Sequence, residues 1–555
     1  MMPRRLIASG LLFIFCLASA GLLAASAGDA EIVMRVESGE HPGLSRRHFS
    51  DVKEVLLGAY RAAQSQPLWI RDGRPTPQAL EMIGVLVAAG EAGLFPEDYD
   101  AERLRGWAGE GSEGFRSRAR EVEFEVGMSI DVVRYALALH AGRVRPRQVG
   151  FDIDVSARRS EISSDFLIKL SRSEHPAELL SALEPRFPLY RALKLALERY
   201  RRLSESLPAS RFNFPVKLTP GMSHPDVPRL REFLHALGDL RDGVVLEGDP
   251  LVYGASLEEG VRTFQERHGL TPDGVIGRAT SLRLMTPLRD RLRQIEYGLE
   301  RLRWLPDENW GAYILVNIPS FKLYAARSGE GVGRHDLEMN VVVGEAIDGR
   351  KTPVFHADLT QLTFRPYWNV PSAIASRELV PAIRRNPAYL ARNRFEIVAS
   401  FSQDSPVLPP SPGVLDQVAQ GSLKLRQMPG AENALGLFRF SFPNTSQVYL
   451  HGSPAKSLFS RDRRDFSHGC VRLKDPALLA QWVLEENGDW PKARIDEYAG
   501  GEVTKTIALK KPIPVYILYL TVMADAEGRV SFYEDVYGHD QELGQFLSKA
   551  GPRSP

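Results

Sequence analysis

The chain is poor in cysteine: 555 residues contain two, Cys16 and Cys470. A disulfide-stapled fold is therefore excluded. Charge of one sign is also missing. Lys and Arg number 70 against 69 Asp and Glu, a net of +1, which lacks the basic excess of a nucleic-acid binder. Gly (46) and Pro (38) make up only ~15% of the chain, which excludes a collagen-like or low-complexity protein. Beyond the N-terminus no apolar run is long enough and free enough of charge to span a bilayer; Ile513 to Ala524 is too short and contains Pro514. What remains is ordinary globular composition, 43% hydrophobic and 25% charged. At about 150 residues per domain, the length predicts three or four units.

The N-terminus sets the compartment. Arg4 and Arg5 precede an uncharged stretch from Leu6 to Gly28, and Ala25-Ser26-Ala27 offers a small-x-small cleavage site. This is the pattern of a secretory signal over residues 1–27. The alternative is an uncleaved membrane anchor, since the run is long enough to span. Both readings export the rest of the chain. Cys16 lies inside this segment without the small residues that precede a lipid-modified cysteine. Cleavage would leave Cys470 as an unpaired thiol in an oxidising compartment, where such a residue is a liability unless used or buried.

Residues 28–210 read as helical. Thr76-Pro77 supplies an N-cap and a first-turn proline. Leu80, Ile83, Val87 and Leu94 form one apolar stripe, with Gly93 as its stop, and Phe124, Met128, Val132, Tyr135 and Leu139 form another. Residues 211–286 read as a small three-helix unit. Its helices carry Val227, Leu230, Phe233, Leu234 and Leu237, then Val261, Phe264 and His268, with Gly238 and Gly269 as stops. A charged connector helix occupies 287–312. From Tyr313 the pattern turns strand-like over 313–535, interrupted by an insertion at 372–435. Within it Glu378 to Arg385 is expected to be helical and Ser405 to Gly413 a loop. Residues 536–555 read as a C-terminal tail.

The chemistry is concentrated in Val448-Tyr449-Leu450-His451-Gly452-Ser453 and Phe466-Ser467-His468-Gly469-Cys470-Val471-Arg472-Leu473. Strand alternation puts Val448 and Leu450 towards a core and Tyr449 and His451 towards a cleft. A thiol needs a base or a positive field to act as a nucleophile. His451 would be that base and would later protonate the leaving amine. Gly469 permits close approach of the backbone, and the amides of Gly469 and Cys470 are oxyanion-hole candidates. Arg472 suits a substrate carboxylate. A buried structural cysteine is the bland reading, but the surrounding Ser, Gly and Arg argue for a polar loop. Zinc ligation by His451, His468 and Cys470 is the other, but no fourth ligand or carboxylate base is evident. His468 on its own reads as a structural residue hydrogen-bonding the loop.

Two stretches resemble known families. Phe264-Gln265, His268-Gly269-Leu270, Asp273-Gly274-Val275-Ile276-Gly277 and Thr280 are similar to the three-helix peptidoglycan-binding domain. A histidine, a spacer and Ser-His-Gly-Cys-x-Arg resemble the signature of the L,D-transpeptidase catalytic domain. Supporting matches are Ile318 to Tyr324, Val341 to Gly344, Thr352-Pro353, Phe364 to Pro371, Arg426 to Gly430 and Asn433 to Gly436. The order of parts resembles the large exported Gram-negative branch of that family. The implied fold is multidomain α+β: a helical scaffold, the three-helix domain, and a mainly-β catalytic domain with an inserted lid.

The resemblance implies a periplasmic enzyme that cross-links peptidoglycan tetrapeptide stems, serving as donor and acceptor. Cys470 would form a thioacyl enzyme with the L-centre of diaminopimelate and release D-Ala. The side-chain amine of a second stem would then resolve it. Gly452 would orient His451 through its carbonyl, and Tyr449, Trp368, Arg472 and Ser467 are substrate-side candidates. No metal or organic cofactor is implied, carbapenems are expected to acylate the same cysteine, and other cell-wall synthesis enzymes are compatible partners. A membrane is a partner only if the leader is an anchor, and no nucleic acid is expected. The alternatives are an L,D-carboxypeptidase, a transferase to a lipoprotein lysine, a non-catalytic peptidoglycan-binding scaffold and a zinc peptidase.

Overall fold

The computed structural model describes residues 30–207, 211–241, 249–306, 311–327, 335–525 and 528–550. The expected leader, with Cys16, lies outside them. The N-terminal third is built around the helix Arg118–Ala141, whose residues Phe124, Met128 and Val132 are fully buried. Helices Lys53–Ala62, Pro77–Val87 and Ala101–Glu110 pack about it. Thr76 caps its helix as expected, its Oγ1 accepting from Ala79 N–H at 3.1 Å. One residue of the expected stripe is misplaced: Leu80 is 53% exposed. The buried face is Ala79, Met82, Ile83 and Leu86, whose spacing of three, one and three residues follows the helical period more closely.

In the three-helix unit, Val227–Leu237, Ala255–Arg267 and Arg278–Leu284, the motif residues build the interior. The Gln265 amide donates to Asp273 Oδ1 (2.8 Å), Val275 O (2.9 Å) and Thr280 Oγ1 (3.1 Å), and its carbonyl accepts from Gly274 N–H (2.8 Å). The connector helix Leu288–Leu302 buries Ile295, Leu299 and Leu302 and packs along the scaffold helix Pro188–Ser206.

The strand-rich unit from Tyr313 onward is built on one nine-stranded sheet. Its order is Asp465–Ser467, Leu337–Gly344, Val471–Leu473, Leu450–His451, Phe438–Ser441, Phe355–Phe364, Lys505–Leu518, Tyr313–Asn317, Lys322–Ala326. Lys322–Ala326 also pairs with Leu337–Gly344, so the pairings close into a ring. Phe355–Phe364 was not anticipated from the sequence. Its first half alternates, but His356, Asp358, Thr360 and Gln361 interrupt the apolar run.

The insertion is more ordered than its sequence suggested. Trp368–Asn369, Lys424–Gln427, Phe395–Val398 and Val407–Leu408 form a separate four-stranded sheet. The helical run over 372–385 and the helix Pro412–Gln420 cover it. Val380, Ile383, Ile397, Val418 and Leu425 make its own small core. The expected loop Ser405 to Gly413 therefore holds a short strand and a helix start, where Ser411 Oγ accepts from Val414 N–H at 3.3 Å. The stretch read as a tail carries the helix His539–Ala550, with Leu543 and Asp540 buried. Thr521 Oγ1 donates to Asp540 Oδ2 at 2.6 Å, and Arg301 pairs with the same carboxylate. Leu543, Phe546 and Leu547 give this segment an apolar face at helical spacing that binds it to the main core.

Candidate active site

The central residues come from two neighbouring parallel strands. Leu450 pairs with Val471, and His451 with Arg472. Leu450 and Val471 are fully buried on the core face. Alternation then places Tyr449, His451, Cys470 and Arg472 on the other face. Cys470 stands level with Tyr449, whose carbonyl accepts from Val471 N–H at 3.2 Å. His451 lies diagonally across, at a Cα separation of about 7–8 Å that side chains can bridge.

The face is less open than the alternation suggested. His451 is only 4% exposed, and Cys470 is half-buried. Burial, aided by the Arg472 guanidinium, pushes His451 down to about 3, while the Gly452 and Leu435 carbonyls resist. Its Nδ1 is 2.5 Å from Gly452 O. A carbonyl only accepts, so Nδ1 carries the proton and Nε2 keeps its lone pair. Burial likewise raises the Cys470 thiol, opposed by the main chain and phenol of Tyr449 and by Arg472. Gln447, held at φ 54°, turns its carbonyl to within 4.0 Å of Cys470 Sγ.

The loop 467–470 is held from beneath. Ser467 Oγ donates to Cys470 O at 2.5 Å and accepts from Gly469 N–H at 3.1 Å. The Gly469 amide is therefore engaged within the loop, and the expectation that it points at an oxyanion is corrected. Gly469 sits at φ +119°, a conformation that requires glycine. Its carbonyl accepts from Thr352 Oγ1 (2.8 Å), which in turn accepts from Gly344 N–H (2.8 Å). A Cβ on Gly344 would lie 2.0 Å from Arg350 O, so only glycine fits there. Tyr537 completes the support, its hydroxyl donating to Gly344 O at 2.6 Å and accepting from Thr352 N–H at 3.2 Å.

His468 does not hydrogen-bond its own loop. Its Nε2 lies 2.8 Å from Glu378 Oε1 in the insertion. Arg350 donates to the same oxygen (2.8 Å) and to Glu345 Oε2 (3.0 Å). A chain of polar contacts from Glu345 through Arg350 and Glu378 to His468 thus ties the insertion to the loop that carries Cys470. Glu378 lies in a π-helical turn, Ala375–Leu379, a distortion that recurs at functional sites. Trp368 belongs to the insertion's sheet and packs against Phe395, ring centroids 6.0 Å apart. Among the described residues, no group of three or more His, Cys, Asp or Glu is placed to hold a metal ion.

Residues 311–515 match the family model of the L,D-transpeptidase catalytic domain. This part of the chain is similar to that catalytic domain. Residues 54–197 match a scaffold domain model, and 223–284 match the model described as "Putative peptidoglycan binding domain". The helical N-terminal region and the mostly-β domain resembling the L,D-transpeptidase fold make the multidomain α+β architecture expected from the sequence. A Haemophilus influenzae protein named "Putative L,D-transpeptidase" is 31% identical over 251 residues, 45% of this chain and 49% of that protein. The chain thus spans about half the length of this curated relative. A solved L,D-transpeptidase fragment from Xylanimonas cellulosilytica is 16% identical and covers 56% of this chain and all of its own, with a TM-score of 0.17. Thr352, Tyr537, Glu378, Arg350 and Gln447 were not picked out as site residues from the sequence. Thr352 did stand in a quoted motif and Glu378 opens a segment expected to be helical, but Tyr537 lies beyond every quoted motif.

Proposed function

We propose that the protein is a peptidoglycan L,D-transpeptidase that joins diaminopimelate residues of neighbouring stems through a Cys470 thioacyl enzyme. The observation that carries this reading is the single face shared by Cys470, His451, Tyr449 and Arg472, with His451 fixed in one tautomer by Gly452. At neutral pH both thiol and imidazole rest uncharged. In the first step His451 Nε2 takes the thiol proton as sulfur attacks the carbonyl of the diaminopimelate L-centre. We assign the Cys470 amide as the oxyanion donor, since Ser467 engages that of Gly469. The imidazolium then gives its proton to the departing D-Ala amine. In the second step an acceptor amine is deprotonated by His451 and attacks the thioester, and the thiolate leaves and recovers the proton. The domains that handle peptidoglycan fit an extracytoplasmic location. Among the described residues no helix is long and apolar enough to cross a membrane.

The test uses the full chain and Cys470→Ala with disaccharide-tetrapeptide, read by mass spectrometry. Dimers lacking one D-Ala, formed by the wild type alone, are the expected result. Tripeptide monomers alone would assign water as the acceptor. No product and no acyl adduct would refute the enzyme reading in favour of a wall-binding scaffold.

A further inference from the structure

Three adjacent strands set up a row of side chains that motif reading does not show. Arg439 is in register opposite His451, and His451 opposite Arg472. Register partners project to the same face. The row is therefore Arg439, His451, Arg472, with Tyr449 and Cys470 along its edge. Strand spacing puts the two arginine Cα atoms roughly 10 Å apart.

Arg439 lies over the Tyr449 ring, 5.9 Å from its centroid. Its Nε is buried and has no hydrogen-bond partner among the described residues. On the far side, Glu345 is the carboxylate that acts on Arg472, but it is already engaged by Arg350 at 3.0 Å. Two cations thus flank the base without a committed counter-charge. Leaving a guanidinium part-buried and unpaired is costly, and an arriving carboxylate relieves that cost.

We propose that Arg439 is a specificity-determining residue that binds one carboxylate of the donor while Arg472 binds a second. The reacting carbonyl then lies between them, beside His451. This rests on the stem-peptide reading above. In such a donor the leaving D-Ala has a carboxylate on one side of the scissile bond. The diaminopimelate side chain has another on the opposite side. A monoanionic donor would leave one arginine unpaired, so the row selects a dianion across the scissile bond.

The test is a cycle of enzyme and substrate changes on the full chain. Arg439→Gln and Arg439→Lys are compared with wild type on three donors: the native tetrapeptide, one ending in D-alaninamide, and one with the diaminopimelate side-chain carboxylate amidated. Arg439→Gln should lose roughly 10- to 100-fold in kcat/KM on the native donor, mainly through KM, as expected for one charge-assisted hydrogen bond. On one of the two amides that loss should vanish, because the partner carboxylate is already gone. Which amide it is identifies the carboxylate held. Arg439→Lys, which keeps the charge, should recover part of the loss. An Arg439→Gln effect that persists equally on both amides means a purely structural role and overturns the inference, as does no effect on the native donor. Absence of turnover by the wild type would refute the stem reading and this inference with it.

Discussion

Thr352→Val tests whether the nucleophile loop is held by the polar network beneath it. Thr352 is 1% exposed. Valine keeps its shape but removes the hydroxyl that donates to Gly469 O and accepts from Gly344 N–H, both at 2.8 Å. Two buried main-chain groups lose their partner at once. Each such orphan costs about 1–3 kcal/mol, so the variant should be destabilised by roughly 2–6 kcal/mol. For a unit of this size that lowers the melting temperature by about 4–24 °C. Gly469 would also be freer to leave φ +119°, and acylation should slow roughly 10- to 100-fold because the thiol is no longer held in line. Stability is read by urea denaturation, and acylation by intact mass against time with the disaccharide-tetrapeptide donor. Tyr537→Phe removes the other half of the network, the 2.6 Å bond to Gly344 O and the 3.2 Å bond from Thr352 N–H. It should reproduce both effects from a position beyond the matched segment 311–515. If Thr352→Val unfolds within ~0.5 kcal/mol of wild type and acylates at the same rate, the loop does not depend on this network.

His451 is held at about 3 when folded against an ordinary 6.5. Its contribution to stability is therefore complete above pH 6.5 and is lost as pH falls from 6.5 towards 3. His451→Gln should flatten the stability–pH curve over that window, and an unchanged slope would show that the ring is not held neutral. For the same reason the acid limb of the acylation rate should lie well below pH 6.5. His468 bridges to Glu378 rather than to the thiol. His468→Ala should cost less than ~10-fold in acylation, whereas His451→Ala should cost roughly 100-fold or more. Glu378→Ala should leave global stability within ~1 kcal/mol, since both partners are partly exposed. It should speed hydrogen exchange over residues 372–385, and unchanged exchange there would mean that the bridge does not restrain the insertion.

Local spacing made the site legible in sequence, but not its supports. Alternation over Val448 to His451 and the loop ending in Cys470 placed the polar residues on one face. The three-helix unit was equally readable, because Gln265 and its partners sit within 15 residues of one another in sequence. Burial was misjudged. Nothing in Tyr449 or His451 signals their burial, because the groups beside them, Arg439 over Tyr449 and Leu435 and Arg472 by His451, arrive only when neighbouring strands pair. Thr352 and Tyr537 meet Gly344 and Gly469 only after the sheet forms. The connection between Thr352 and Tyr537 spans 185 residues. The insertion was underestimated for a related reason. Its strands are two to four residues long, shorter than any periodicity can resolve. Arg439 escaped notice because its meaning lies in register with His451, and register is a property of paired strands.

The strand Lys505–Leu518 lies inside the sheet, between Phe355–Phe364 and Tyr313–Asn317, yet it is the last of the nine to appear along the chain. A chain that emerges N-terminus first cannot finish this sheet early. Tyr313–Asn317 waits for a neighbour about 200 residues downstream, and until then both edges of the gap are exposed. Such non-local pairing is slow. The helices before Tyr313 contribute no strand to this sheet and can fold while the gap is still open. The thiol therefore spends the slow interval in an incomplete sheet. The scarcity of cysteine then matters in time as well as in space, because the described part of the chain contains no second thiol for Cys470 to capture while it waits.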